Sequence, residues 1–155
     1  MSRKFSKDKS ESLYNKFVEW RTKILQLTNS IVIVEGKRDI EVLKDLGINE
    51  QTNVIIGYSQ RSSITVANLL AHDQYKNYII VPLVDFDRQG EEYLQEIKLM
   101  NGKTNGKLDL ELRMELRNLT RGKIVEFEDL FHILKNKLHP KYWLVLCQTL
   151  NLIDY

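Results

Sequence analysis

A chain of 155 residues, 43% hydrophobic and 28% charged, has the composition of one globular domain with a real core and room for no second full one. Its 23 Lys and Arg against 21 Asp and Glu leave a net charge of +2, too small to mark a nucleic-acid binder by charge alone. A single cysteine, Cys147, excludes an internal disulfide and zinc-finger spacing, and His72, His132 and His139 are too scattered to form a ligand motif.

Residues 1–10 are polar and charged. The opening Met1-Ser2-Arg3-Lys4 does not lead into a signal-peptide core, and no apolar run is long enough for a bilayer, so a cytoplasmic protein without membrane association is expected. Residues 1–30 hold seven Lys and Arg against three Asp and Glu, whereas the remainder holds 16 against 18. The basic arm offers either a track for nucleic acid or a solvated helix face. Leu13, Phe17, Trp20, Ile24 and Leu27 recur at threes and fours and predict an amphipathic helix over 11–27. The β-branched run 31–34 reads as a strand buried on both faces, and 37–46 as a helix stopped at Gly47. A strand over 53–56, a polar loop over 58–61 and a helix over 62–75 follow. In the loop, Arg61 and the hydroxyls can meet a phosphate backbone, while Ser62 or Ser63 can equally cap the next helix. Next come a strand over 78–84, a helix over 89–100, a turn-rich loop over 101–106, a helix over 108–119 and a fourth strand over 123–127. Helices over 128–137 and 142–152 close the chain.

Strands alternating with helices predict an α/β fold, with a four-stranded, mainly parallel sheet covered by helices on both faces. Ligands of such sheets bind outside the carboxyl ends of the strands. Two acidic motifs fall there: Glu35-Gly36 after the first strand, and Asp85-Phe86-Asp87 after the third. Asp85 and Asp87, two residues apart on extended backbone, point the same way and need a cation between them. Carboxylates in this number suit Mg²⁺, a hard ion that keeps waters and substrate phosphates as its other ligands, with Mn²⁺ as a substitute. Glu35 either completes the metal site or acts as a general acid/base. Gly36 and Gly90 let backbone N–H groups approach a phosphate closely, and Lys37, Arg38 and Arg88 place positive charge beside it.

Together, Val34-Glu35-Gly36-Lys37-Arg38-Asp39 and Asp85-Phe86-Asp87-Arg88-Gln89-Gly90-Glu91-Glu92 resemble the two motifs of the Toprim domain family. The likeness is to its small, stand-alone archaeal-type members. It extends through Leu108-Asp109 to Arg113 and through Val125-Glu126-Phe127-Glu128-Asp129-Leu130. The resemblance implies a Rossmann-like Toprim domain over 30–130. Residues 1–29 then form the basic arm and first helix, and residues 131–155 a helical extension packed on the same domain. It also implies Glu35 as general acid/base and possible ligand, with Asp85 and Asp87 holding Mg²⁺. Asp39 and Glu126 are further candidates, Asp39 having a solvated helix position as its plainer reading. The expected activity is a Mg²⁺-dependent nuclease acting on RNA or DNA, with RNA favoured because short members resemble RNA-maturing ones. The alternative is a non-catalytic nucleic-acid-binding module, or a subunit with a protein partner in a processing complex.

Overall fold

In a computed structural model, residues 6–102 and 107–152 are described. In chain order the elements are α1 (Lys7–Gln26), β1 (Ser30–Val34), α2 (Lys37–Asp45), β2 (Val54–Gly57), α3 (Ser63–Leu70), β3 (Ile79–Pro82), α4 (Arg88–Asn101), β4 (Lys107–Leu108), α5 (Glu111–Leu119), α6 (Leu130–Lys137) and α7 (Pro140–Leu150). The α/β class, the parallel sheet and the two helical layers are those expected from the sequence.

The four strands are parallel in the order β2-β1-β3-β4. Every residue of β1 is buried, which is why its sequence is an unbroken β-branched run rather than an alternation. Ile31 and Ile33 face one layer, with Val66 and Leu70 of α3 and Leu94 and Ile97 of α4. Val32 and Val34 face the other, with α1, α2, α5, α6 and α7. This division follows from chain direction. From β1 to β2 the chain steps one way across the sheet, and from β2 through β3 to β4 it steps the other way. A constant crossover hand then sends α3 and α4 to the face opposite α2.

The basic N-terminal segment is not a free arm along its helical part. Phe17 and Ile24 are fully buried, and the Trp20 indole N–H donates to the Leu112 carbonyl at 2.9 Å, tying α1 to α5. Ser10 joins α1 to the far end of the chain, its hydroxyl accepting from the His139 N–H at 3.0 Å. Helix α2 ends before Gly47, whose φ of +90° is a left-handed position that a side chain resists.

Three expectations are corrected. The predicted fourth strand over 123–127 is irregular backbone running into a 3-10 turn, Phe127–Asp129. Arg121 and Gly122, both at positive φ, turn the chain away, and the sheet position beside β3 is taken by β4. The predicted helix over 108–119 therefore starts later, at Glu111. The helix over 62–75 stops at Leu70 and is followed by a 3-10 turn, Asp73–Tyr75. Residues 103–106 of the expected 101–106 loop, and residues 1–5 of the basic arm, lie outside the described residues.

Candidate metal centre

The reversal of crossover direction leaves a crevice between the carboxyl ends of β1 and β3, the place where ligands of open α/β sheets bind. Glu35 directly follows β1. Asp85 and Asp87 follow β3 on a segment still held to β1 by the Leu83 N–H, which donates to the Ile33 carbonyl at 2.7 Å. One oxygen from each of Glu35, Asp85 and Asp87 lies within 4.8 Å of the others. Asp85 is buried, and Glu35 and Asp87 are half-buried.

Each carboxylate is held by the local fold. Asp85 Oδ1 accepts the Phe127 N–H at 2.8 Å, so the irregular 123–129 segment braces the site from the side where a strand was expected. Asp87 is the N-cap of α4, its Oδ1 accepting the Gly90 N–H at 2.8 Å. A Cβ on Gly90 would run into the Asp85 carbonyl, so only glycine lets the start of α4 press against the acidic loop. The Glu35 carbonyl accepts both the N–H and the hydroxyl of Ser59, at 2.9 and 2.6 Å, which joins the ends of β1 and β2.

Burial and like charge dominate the electrostatics of the crevice. Burial pushes the Glu35 carboxyl up to about 8, helped by its hydrogen bond to Asp85 and by the charges of Asp85, Asp87 and Asp39. Asp39 is raised to about 6, again mainly by burial, although it accepts the Gly36 N–H at 2.9 Å. Glu35 Oε1 and Asp39 Oδ1 are buried oxygens with no hydrogen-bond partner. Among the described residues, no ion pair involves Glu35, Asp85 or Asp87. An all-oxygen donor set, an orphaned buried oxygen and the absence, among the described residues, of any ion pair to the three acids fit Mg²⁺ or Mn²⁺. A second acidic group, Glu126, Glu128 and Asp129, also has one oxygen each within 4.8 Å of the others. Glu126 is raised by its hydrogen bond to Glu128 and by the charge of Asp129, and it feels Asp85 as well.

No protein-family model matches the chain. A UPF0292 protein of Pyrococcus furiosus is 33% identical over 114 residues, covering 73% of this chain and 79% of that protein. The chain belongs to the UPF0292 family. Other UPF0292 relatives include one from Thermococcus kodakarensis, 33% identical over 118 residues (76% of this chain, 83% of the relative). One from Methanocaldococcus jannaschii is 33% identical over 107 residues (69% and 80%). A solved structure of a protein from Aquifex aeolicus shares the fold, with a TM-score of 0.57 and 22% identity over 72% of this chain and 95% of that one.

In this UPF0292 chain the three acids expected at the strand ends do converge. Lys37, Arg38 and Arg88, expected beside them, and Arg61, expected to meet a phosphate backbone, form no ion pair with them among the described residues. Lys37 and Arg38 are exposed on the first turn of α2, and Arg61 is exposed before α3. Arg88, its side chain 95% exposed, leans on Glu92 at 3.5 Å. The loop hydroxyls act locally, Ser62 Oγ capping α3 by accepting the Thr65 N–H at 3.1 Å. The N–H groups of Gly36 and Gly90, expected to meet a phosphate, are taken by Asp39 and Asp87. Asp39 is buried rather than solvated, because α2 turns that face towards the 3-10 turn at 127–129.

Arg113 had no predicted role at the site, yet it is buried there. Its Nε donates to the Val84 carbonyl at 3.0 Å, and its Nη2 donates to the Asp85 carbonyl at 2.6 Å and to Glu91 Oε1 at 2.9 Å. The signal was present in α5, where Arg113 sits beside the inward stripe Leu112, Leu116 and Leu119, an unusual place for an unpartnered cation. No helix of the described residues is long and apolar enough to cross a membrane.

Proposed function

We propose that this chain is a Toprim-type protein that binds Mg²⁺ through Glu35, Asp85 and Asp87 and cleaves phosphodiester bonds in nucleic acid, with RNA the preferred substrate. The observation that carries this reading is the convergence of three carboxylate oxygens within 4.8 Å at the β1/β3 crevice, with no ion pair to any of them among the described residues. When bound, Mg²⁺ supplies Lewis-acid neutralisation of phosphate charge. Asp85 and Asp87 hold the ion, Asp85 fixed by the Phe127 N–H and Asp87 by its capping bond to Gly90. Glu35, beside the ion, moves a proton to the leaving oxygen or takes one from the attacking water. Lys37, Arg38, Arg61 and Arg88, all exposed, meet the flanking phosphates.

A second reading, a metal-loaded binding module or subunit of a processing complex in the cytoplasm, is favoured by one observation. Glu126, Glu128 and Asp129 place further negative charge beside the crevice, which repels a phosphate backbone that no partner helps to hold. The deciding experiment incubates the protein with labelled RNA and DNA in Mg²⁺ or Mn²⁺, alongside Glu35→Gln and Asp87→Asn. The enzyme reading expects cleavage that Glu35→Gln abolishes while binding remains. Cleavage that survives in both variants marks a contaminant and ends that reading. Salt-dependent binding without cleavage supports the module.

A further inference from the structure

We propose that Arg113 is a positioning residue for the metal centre, setting its affinity through the backbone of the acidic loop rather than by touching the ion. The proposal rests on the metal-binding reading of Glu35, Asp85 and Asp87.

The geometry is specific. Asp85 is the most buried of the three acids, and its Oδ1 accepts the Phe127 N–H. The direction of its Cα–Cβ bond is set by the peptide groups on either side. Arg113 binds both of them, Nε to the Val84 carbonyl and Nη2 to the Asp85 carbonyl. Its guanidinium carbon lies 4.4 Å from the centroid of the Phe86 ring, so the residue between the two aspartates is clamped as well. The third anchor is Glu91 in the first turn of α4, the helix that Asp87 caps. One buried planar cation thus ties α5, the acidic loop and the start of α4 together. Its charge also stands close to a cluster of carboxylates that otherwise repel each other.

Lysine cannot replace this arrangement. A single ammonium on a flexible stem cannot donate along two edges to two successive carbonyls and a carboxylate at once, whereas the guanidinium fork does so with little further loss of freedom. Gly90 gives the same peptide its close approach from α4, so the Asp85 carbonyl meets both the start of α4 and Arg113. A residue that merely supported the fold would have no reason to spend a buried charge on the two peptides flanking a ligand.

The test measures Mn²⁺ binding by electron paramagnetic resonance in the wild type, Arg113→Lys and Glu91→Gln, with thermal unfolding recorded for each. Leu116→Ala, a core truncation on the same helix, serves as a control that lowers stability without removing any hydrogen bond of Arg113. The expected result is a Mn²⁺ affinity about tenfold weaker in Arg113→Lys and about threefold weaker in Glu91→Gln, with Leu116→Ala unchanged. The Mn²⁺ line shape should broaden in Arg113→Lys, as it does when ligand directions are no longer unique. Affinity within about twofold of wild type in a folded Arg113→Lys overturns the proposal. If that variant does not fold, unchanged affinity in Glu91→Gln overturns it. A weakening in Leu116→Ala equal to that in Arg113→Lys assigns the effect to stability and overturns it too. Absence of Mn²⁺ binding by the wild type overturns the metal reading and the positioning role with it.

Discussion

Replacing Glu35 with glutamine should make the metal-free protein more stable at alkaline pH, although it removes a residue of the candidate site. The carboxyl titrates near 8 in the folded chain against an ordinary value of 4.5. A carboxyl raised in this way makes the folded state hold the proton more tightly. Its contribution is present below the unfolded value and is lost as pH climbs from about 4.5 to about 8. The full shift corresponds to about 5 kcal/mol, but Glu35 is only half-buried, and solvent screening brings the expected effect to about 2 kcal/mol. For a chain of this length that is a rise of about 4–8 °C in Tm. The assay is thermal unfolding followed by circular dichroism in EDTA, from about pH 4.5 to about pH 8.5, for the wild type and Glu35→Gln. The two curves should coincide at the acid end and separate steadily above it, with the variant the more stable. Mg²⁺ should reverse their order at the alkaline end, since an ion at a hundred times its Kd adds about 2.7 kcal/mol to the state that binds it. A difference between the two proteins that stays flat across this pH range in EDTA refutes the reasoning. So does a variant less stable than wild type at the alkaline end.

Gly90→Ala should lower stability by about 3 kcal/mol and weaken metal binding together, because its Cβ runs into the Asp85 carbonyl; urea unfolding and Mn²⁺ titration check both. Asp87→Asn and Asp87→Ala should separate capping from charge. Asparagine keeps the bond to the Gly90 N–H and holds stability within about 0.5 kcal/mol, alanine loses about 1 kcal/mol, and both lose metal affinity. Trp20→Phe leaves the Leu112 carbonyl without its donor inside the α1/α5 contact and should cost about 2 kcal/mol in urea unfolding, with no change in Mn²⁺ affinity.

The sheet was readable because burial leaves a local mark. Ile31–Val34 must be apolar on both faces to lie under two helical layers, and Leu13, Phe17, Trp20 and Ile24 must recur with the helical period to cover one of them. The fourth strand was misread for a related reason. The segment 123–127 carries Ile124 and Phe127 inward and Val125 outward, a pattern that irregular backbone over a core also requires. The place beside β3 goes to Lys107–Leu108, a pairing across 28 residues that local hydropathy does not encode. Asp39 was harder still, since a carboxylate on a short helix looks solvated until the 3-10 turn at 127–129 closes over it.

The sequence by itself determined the α/β class, the two acidic strand ends and the identity of Glu35, Asp85 and Asp87, since each is encoded within a few residues by hydropathy and chain direction. Only the tertiary structure decided that these acids meet, that Asp39 and Glu126–Asp129 crowd them, and that Arg113 holds the loop between them. Those relations join residues far apart in the chain, 28 positions for Asp85 and Arg113, 42 for Asp85 and Phe127 and 50 for Glu35 and Asp85, and their energies arise only once water has been excluded from between the elements.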